Sequence, residues 1–294
     1  MSPGRALARA KFRSAQFMTS VQRRNGQGRW LVPGSTALRV VAYIGVFGLV
    51  WEVATVLLRP PDYLLPSLHS VLAYCFAQWQ VLLKHAGVTA LETLLGFGAA
   101  VTGGIAVAFI LDRFPRVAMI LWPSVLFAQI TPKVAIAPLL LLWLGFGIES
   151  KVLIAFLISF FPILINAHAG FQSIDEETAE LARSMGVRGL RYFVRFQFPH
   201  ALPRIFSGAR IAINFALVGA VVGEFVGSDR GLGNLIILAA RLLNSPLMFS
   251  TIIALMGMGA LFYFSVGMFE RWMIQWHVSY RRTLQADKIG LQDA

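Results

Sequence analysis

Apolar residues fall along this chain in six long blocks, near residues 38–58, 88–111, 117–146, 152–170, 205–226 and 249–269. Each is close to the roughly 20 residues that a helix needs to cross a hydrocarbon core. The first block closes at Arg59-Pro60-Pro61-Asp62, where charge and proline's missing N–H end a helix. A mixed segment with Pro66 and Trp79 leads to the second, which stops at a tight polar turn made by Asp112, Arg113, Pro115 and Arg116. The third contains Pro123, Pro132 and Pro138 with Lys133 among them, and is expected to be a kinked or broken helix. Between the fifth and sixth, an amphipathic piece around residues 235–243 is expected to lie along the membrane surface.

Composition agrees with the pattern: of 294 residues, 57% are hydrophobic and 14% charged, against about 25% charged in soluble domains. The expected fold class is an all-α membrane protein of about six transmembrane helices. A basic N-terminal tail (1–37) precedes one permease-like domain (38–275), which contains a polar loop at 171–204, and a C-terminal tail (276–294) follows.

The net charge of +12 changes the picture only through its placement. Arg5, Arg9, Lys11, Arg13, Arg23, Arg24, Arg29 and Arg39 precede or enter the first block with no acid among them, which retains an N-terminus in the cytoplasm. A nucleic-acid face would instead sit on a folded basic domain. With six spans, both termini, the 112–116 turn and the 171–204 loop share the cytoplasmic side of a bacterial inner membrane. They hold most of the basic residues, while Arg59, Lys84, Lys151, Arg230 and Arg241 fall outside. Cys75 is the single cysteine, so no intramolecular disulfide forms, and the apolar stretch of the first block exceeds a signal-peptide core.

The 171–204 loop is too structured for a linker. Asp175 can cap a helix whose first turn carries Glu176 and Glu177, acids that suit the positive end of the helix dipole, and Gly186 can close it in a left-handed conformation. In a second amphipathic piece Leu190, Phe193, Val194 and residues 196–198 oppose Arg188, Arg191 and Arg195, with Pro199 and Pro203 expected to stop it before span five. Two readings stand: an amphipathic helix on anionic headgroups, or an exposed helical elbow that inserts into a groove on another protein.

Glu180-x-Ala182-x-x-x-Gly186, nine residues, then Phe196-x-Phe198-Pro199 resembles the EAA motif of binding-protein-dependent ABC importer permeases of the type I, MetI-like fold. The spacing is retained; Leu181 replaces the motif's first alanine of the pair, and Phe196 and Phe198 replace aliphatics. Leu64-Leu65-Pro66-Ser67, the segment from Pro132-Lys133 to Pro138, Trp143 to Gly147, Phe161-Pro162 to Asn166, Ala220 to Phe225 and Gly231-Leu232-Gly233 are similar to the nitrate, sulfonate, taurine and thiamine-pyrimidine-precursor branch. The resemblance implies a permease subunit that forms the translocation path for a small solute. It works as a homodimer with a cytoplasmic ABC ATPase dimer and an external solute-binding protein. Glu180, Ala182, Gly186 and Pro199 match the ATPase-coupling positions, and ATP and Mg would be bound by the partner ATPase, with no cofactor in this chain.

Ionisable groups inside spans are costly and mark function by default. Glu92, Lys133, His168, Arg210 and Glu224 qualify, with Asn166 and Asn214 as uncharged partners. Arg210 is near enough to an end to snorkel. Lys133, where Pro132 and Pro138 free carbonyls, either attracts an anionic solute or pairs with Glu92. Gln129, Lys133, Asn166 and Glu224 are the translocation-path residues expected. The histidines are scattered without metal spacing, no Ser-His-Asp or Cys-His arrangement stands out, and no Gly-Lys dipeptide offers a phosphate-cradling loop, so the chain is not expected to be an enzyme. The alternative is a secondary transporter driven by an ion gradient, which calls for inverted repeats that the halves do not display.

Overall fold

The computed structural model describes residues 33–61 and 63–274. The basic residues up to Arg29, and the tail with Arg281, Arg282 and Lys288, lie outside the described residues. The chain divides into two units, up to Arg59 and from Pro60 onward. The first is represented by helix α1 (Pro33–Leu58), mostly apolar, with Arg39 and Glu52 as its charged residues.

In the second unit every described element is helical. Ser67 caps α2 (Leu68–Ala77) by accepting from the Ser70 N–H at 3.2 Å. α3 (Trp79–Arg113) is 35 residues long. At Phe114 the chain turns, and Pro115, in the first turn where its missing N–H costs nothing, opens α4 (Pro115–Ile130). A 3₁₀ turn, Lys133–Ile136, then leads into α5 (Ala137–Leu144), and the two halves of this third run bend by 80° at the break. The cause is local: Pro132 and Pro138 each withhold a donor within one and a half turns, so the expected kink is a true break.

α6 (Ile148–Phe171), α7 (Glu176–Ser184), α8 (Phe198–Gly227), α9 (Leu232–Arg241) and α10 (Ser245–Met273) complete the chain. The six predicted blocks therefore coincide with α1, α3, the bent α4/α5 pair, α6, α8 and α10. Length and composition alone qualify five single helices and that pair to cross a membrane.

α3, α6 and α8 form the centre. Lipid tails are as apolar as leucine, so such helices associate through close packing rather than water exclusion. A Cβ added at Gly219 of α8 would lie 2.6 Å from Ala155 Cα of α6, and one at Gly208 would lie 2.9 Å from the Pro162 carbonyl oxygen. The two backbones thus meet through glycine. Large apolar side chains on the periphery, such as Met119, Phe127, Ile130 and Phe264, are exposed, which suits a molecule surrounded by lipid or by other subunits.

α9 corrects one expectation. Its apolar face does not rest on a membrane surface: Leu232, Leu235 and Ala239 are buried, the two leucines among Leu82, Ile213, Leu217, Met258 and Phe262. Protein, rather than lipid, satisfies its amphipathicity.

Candidate functional site: the elbow and the intramembrane polar groups

Asp175 holds the N-cap position of α7 by its extended backbone, but its side chain makes no cap hydrogen bond. Glu176 and Glu177 supply the negative charge at that end instead. At the other end Gly186 adopts φ +72°. The Val187 N–H donates to the Ala182 carbonyl and the Gly186 N–H to the Arg183 carbonyl, both at 3.0 Å. This reciprocal pair is the Schellman closure, which requires the left-handed residue that Gly186 provides. Ala182 is fully buried, while Glu180 and Gly186 are exposed, as are Leu181 and Met185. An α7 face of charge and apolar side chains therefore projects from the molecule.

Past Gly189 (φ +61°), a turn at Leu190–Tyr192 continues as a π-helical stretch, Phe193–Gln197, directly into α8. Pro199 and Pro203 do not stop the helix, contrary to expectation. Pro199 withholds a donor and its ring crowds the preceding turn; the wider π turn, closed by the Phe198 N–H on the Phe193 carbonyl, absorbs both. Half-buried Pro199 lies inside this join. The Phe193 ring sits 4.3 Å from that of Phe109 and 5.1 Å from that of Phe171, between the ends of α3 and α6. The Gln197 amide donates to an Asp112 carboxylate oxygen at 2.7 Å and to the Phe171 carbonyl at 3.1 Å, and Arg204 donates to the Ala169 carbonyl at 3.0 Å. The elbow is bolted to three helices.

At the opposite end of the helices lies a polar network that sequence reasoning missed in part. Lys151 Nζ is 3.4 Å from Glu92 Oε1, with side chains 8% and 1% exposed, and donates to Ser228 Oγ at 2.6 Å. Glu92 thus pairs with Lys151, not with Lys133 as one reading allowed. Glu224, 1% exposed, accepts from Thr89 Oγ1 at 2.6 Å and from the Gly233 N–H at 2.5 Å. Thr89 Oγ1 in turn accepts from the Leu232 N–H at 2.8 Å, so the start of α9 is satisfied by α3 and α8. Gly231, at φ +106°, has room only for hydrogen, because a Cβ there would collide with the Glu224 carboxylate. Glu224 is therefore enclosed in helix packing. The sequence pattern places Lys151 among the external charges, just before the fourth apolar block; the signal for its burial is its helical register with Ile154 and Ala155, since α6 begins before that block, at Ile148.

Gln129 and Lys133 do come together. They line a groove of about 210 Å³ with Phe161 and Phe215. Lys133 Nζ donates to the Gln129 carbonyl at 2.8 Å and lies 4.5 Å from the centroid of the Phe161 ring. Among the described residues no carboxylate pairs with it. Asn166 spends its amide on the Pro162 carbonyl one turn back, at 2.8 Å, and lines no part of this groove. Arg210 neither floats nor snorkels alone: it pairs with Glu270 at 2.5 Å and lies over the Tyr263 ring.

Residues 100–275 match the family model described as "Binding-protein-dependent transport system inner membrane component". A probable ABC transporter permease protein of Haemophilus influenzae is 34% identical over 229 residues, covering 78% of this chain and 94% of that protein. The riboflavin transport system permease protein RibX of Chloroflexus aurantiacus is 36% identical, covering 78% and 86%. The putative aliphatic sulfonates transport permease protein SsuC of Bacillus subtilis is 31% identical, covering 88% and 91%. A chain of the inward-facing MetNI methionine ABC transporter superposes with a TM-score of 0.60 at 17% identity, covering 67% of this chain and 98% of that one, which is a likeness of fold. The family match spans the end of α3, the broken third run, α6, the elbow and α8, and it excludes the ion-gradient transporter as the reading. The chain belongs to the binding-protein-dependent transport system inner membrane components, as an all-helical permease of an ABC importer.

Proposed function

We propose that this permease couples to its ATPase through the α7 elbow, with Glu180, Ala182, Gly186 and Pro199 in the roles the motif implies. The observation that carries the reading is the elbow itself: an exposed α7 with a fixed glycine closure, hydrogen-bonded and packed onto α3, α6 and α8. A nucleotide bound elsewhere can move a pore only through a rigid element in contact with both. α7 and the Schellman turn present the docking face; Phe193, Gln197 and Pro199 fasten it to the helices.

The working assembly is two copies of this chain, two ATPase subunits that bind ATP and Mg, and an external solute-binding protein. This chain catalyses nothing itself. Its N- and C-termini and the elbow face the cytoplasm, and the Glu92–Lys151–Glu224 network lies toward the outer face. Gln129 and Lys133 belong to the translocation path; Asn166 and Glu224 support the helices around it. Closure of the ATPase pair on ATP would draw the two elbows together and open the path outward.

The test is ATP-dependent uptake by vesicles containing the complete assembly. Charge reversal by Glu180→Lys and bulk at Gly186→Val should each abolish uptake while membrane insertion is unchanged. Uptake at the wild-type rate in both variants would remove the coupling assignment.

A further inference from the structure

Charge divides the elbow at Gly186. Residues 175–185 hold Asp175, Glu176, Glu177 and Glu180 against Arg183, whereas residues 187–204 hold Arg188, Arg191, Arg195 and Arg204 and no acid. Adjoining pieces of opposite sign complement different surfaces. The acidic piece, α7, is the proposed ATPase face, and the basic piece calls for a partner of negative charge.

Past Gly189 the segment leading into α8 is sharply sided. Leu190, Arg191, Val194 and Arg195 are exposed, while Tyr192, Phe193, Phe196 and Gln197 are half-buried. The i, i+1, i+4, i+5 spacing keeps the four exposed side chains on one face, and the wider π turn at Phe193–Gln197 gathers them further. Leu190 is 68% and Val194 56% exposed, so two aliphatic chains stand beside two guanidinium groups. Arg204 is spent on the Ala169 carbonyl, but among the described residues no carboxylate pairs with Arg188, Arg191 or Arg195. The depth of this face is fixed as well. Phe193 packs on Phe109 and Phe171, and Gln197 bonds to Asp112 and to the Phe171 carbonyl, so the face lies where the apolar runs of α3 and α6 end. Exposed Arg113 and Arg116 follow Asp112 in the adjoining turn.

We infer that the Leu190–Arg195 face is a docking surface for anionic phospholipid headgroups of the cytoplasmic leaflet. Its aliphatic chains suit the first acyl carbons and its arginines the phosphates above them, the arrangement of a helix lying in a bilayer boundary. A guanidinium fork pairs with a phosphate through two parallel hydrogen bonds. The cytoplasmic leaflet carries a negative surface potential, and each basic side chain near it strengthens binding about fivefold. The two amphipathic pieces of the elbow thus take different partners, a protein at α7 and the membrane surface at the foot of α8. The inference rests on the proposed cytoplasmic placement of the elbow.

Phosphatidylglycerol and phosphatidylcholine with the same acyl chains separate headgroup charge from chain burial. Titrated into the detergent-solubilised full-length chain and counted by native mass spectrometry, phosphatidylglycerol should bind the more tightly. Arg191→Gln with Arg195→Gln should weaken phosphatidylglycerol about 25-fold and leave phosphatidylcholine as it was. Leu190→Ser with Val194→Ser should weaken both lipids. Arg281→Gln with Arg282→Gln removes the same charge elsewhere in the chain and should cost phosphatidylglycerol much less. An undiminished preference in the Arg191/Arg195 variant, equal loss in the two arginine variants, or displacement of the lipid by excess inorganic phosphate would overturn the proposal. Loss of the co-purifying ATPase from the Arg191/Arg195 variant would assign this face to the motor and overturn it too. Lipid binding is read without the ATPase, so its failure leaves ATP-driven uptake standing; conversely, wild-type uptake in the Glu180 and Gly186 variants with the lipid preference intact would strike only the coupling assignment.

Discussion

An ammonium and a carboxylate, Lys151 and Glu92, face each other at 3.4 Å out of contact with solvent. Removing one partner of a buried pair leaves the other uncompensated, whereas replacing both with apolar groups of similar size is often tolerated. Lys151→Met should therefore destabilise the folded permease by about 3 kcal/mol or more. Lys151→Met with Glu92→Leu should recover most of that loss, as read by thermal unfolding of the protein in detergent; equal melting for the single variant and the wild type would refute the pairing. Glu92 was recognisable as an intramembrane acid from sequence alone. Its partner was not, because Lys133 and Lys151 are both single lysines in apolar surroundings, and only the packing of α3 against α6 decides which one reaches it. Glu224 was likewise recognisable as unusual but not as enclosed, since Thr89 and Gly233, its donors, are remote in sequence from it or belong to an apparent loop.

Among the elements, α7 was legible almost in full, because its determinants are local: acids in the first turn, an Ala-rich face and a terminal glycine. The join at Pro199 was misread for an equally local reason, since proline is a helix stop in most contexts and the π widening that admits it leaves no mark in the residue pattern. Gly186 allows a graded test of the closure. Asparagine tolerates the left-handed region far better than β-branched residues, which pay about 1–2 kcal/mol there. Gly186→Asn should retain much of the ATP-dependent uptake that Gly186→Val loses; equal loss in both would show that the side chain, rather than the backbone, is what the site rejects. The α6–α8 seam permits a complementary prediction. Gly219→Leu would push a side chain into the Ala155 backbone, and overpacking of this kind costs about 1–3 kcal/mol. A lowered melting temperature and reduced recovery from the membrane are expected, against little change for Gly257→Leu, where the added Cβ meets nothing within 4 Å.

For the molecule as a whole, the six apolar blocks and the placement of the basic residues were enough to expect the architecture and a sidedness, because membrane insertion reads hydropathy and charge along the chain before any tertiary contact forms. What the pattern could not supply was which polar groups face one another inside the bundle, a property of three-dimensional packing. Sidedness is open to direct measurement. In a Cys75→Ser background, Ser184→Cys on α7 should react with an impermeant maleimide only in inside-out vesicles, and Asp229→Cys before α9 only in right-side-out ones. The reverse pattern would invert the molecule and detach the elbow from any cytoplasmic motor.

The uninterrupted passage through Pro199 gives the molecule a mechanical property. From Leu190 to Gly227 the helix runs 38 residues, about 57 Å at 1.5 Å per residue, which exceeds the roughly 30 Å hydrocarbon thickness. A beam of that length turns each degree of tilt imposed at its foot into about 1 Å of travel at its far tip, where Glu224 and the first residues of α9 are anchored. Small strokes of an engine at one face of the membrane can thus be geared into displacements of atomic size at the other, with no intermediate relay.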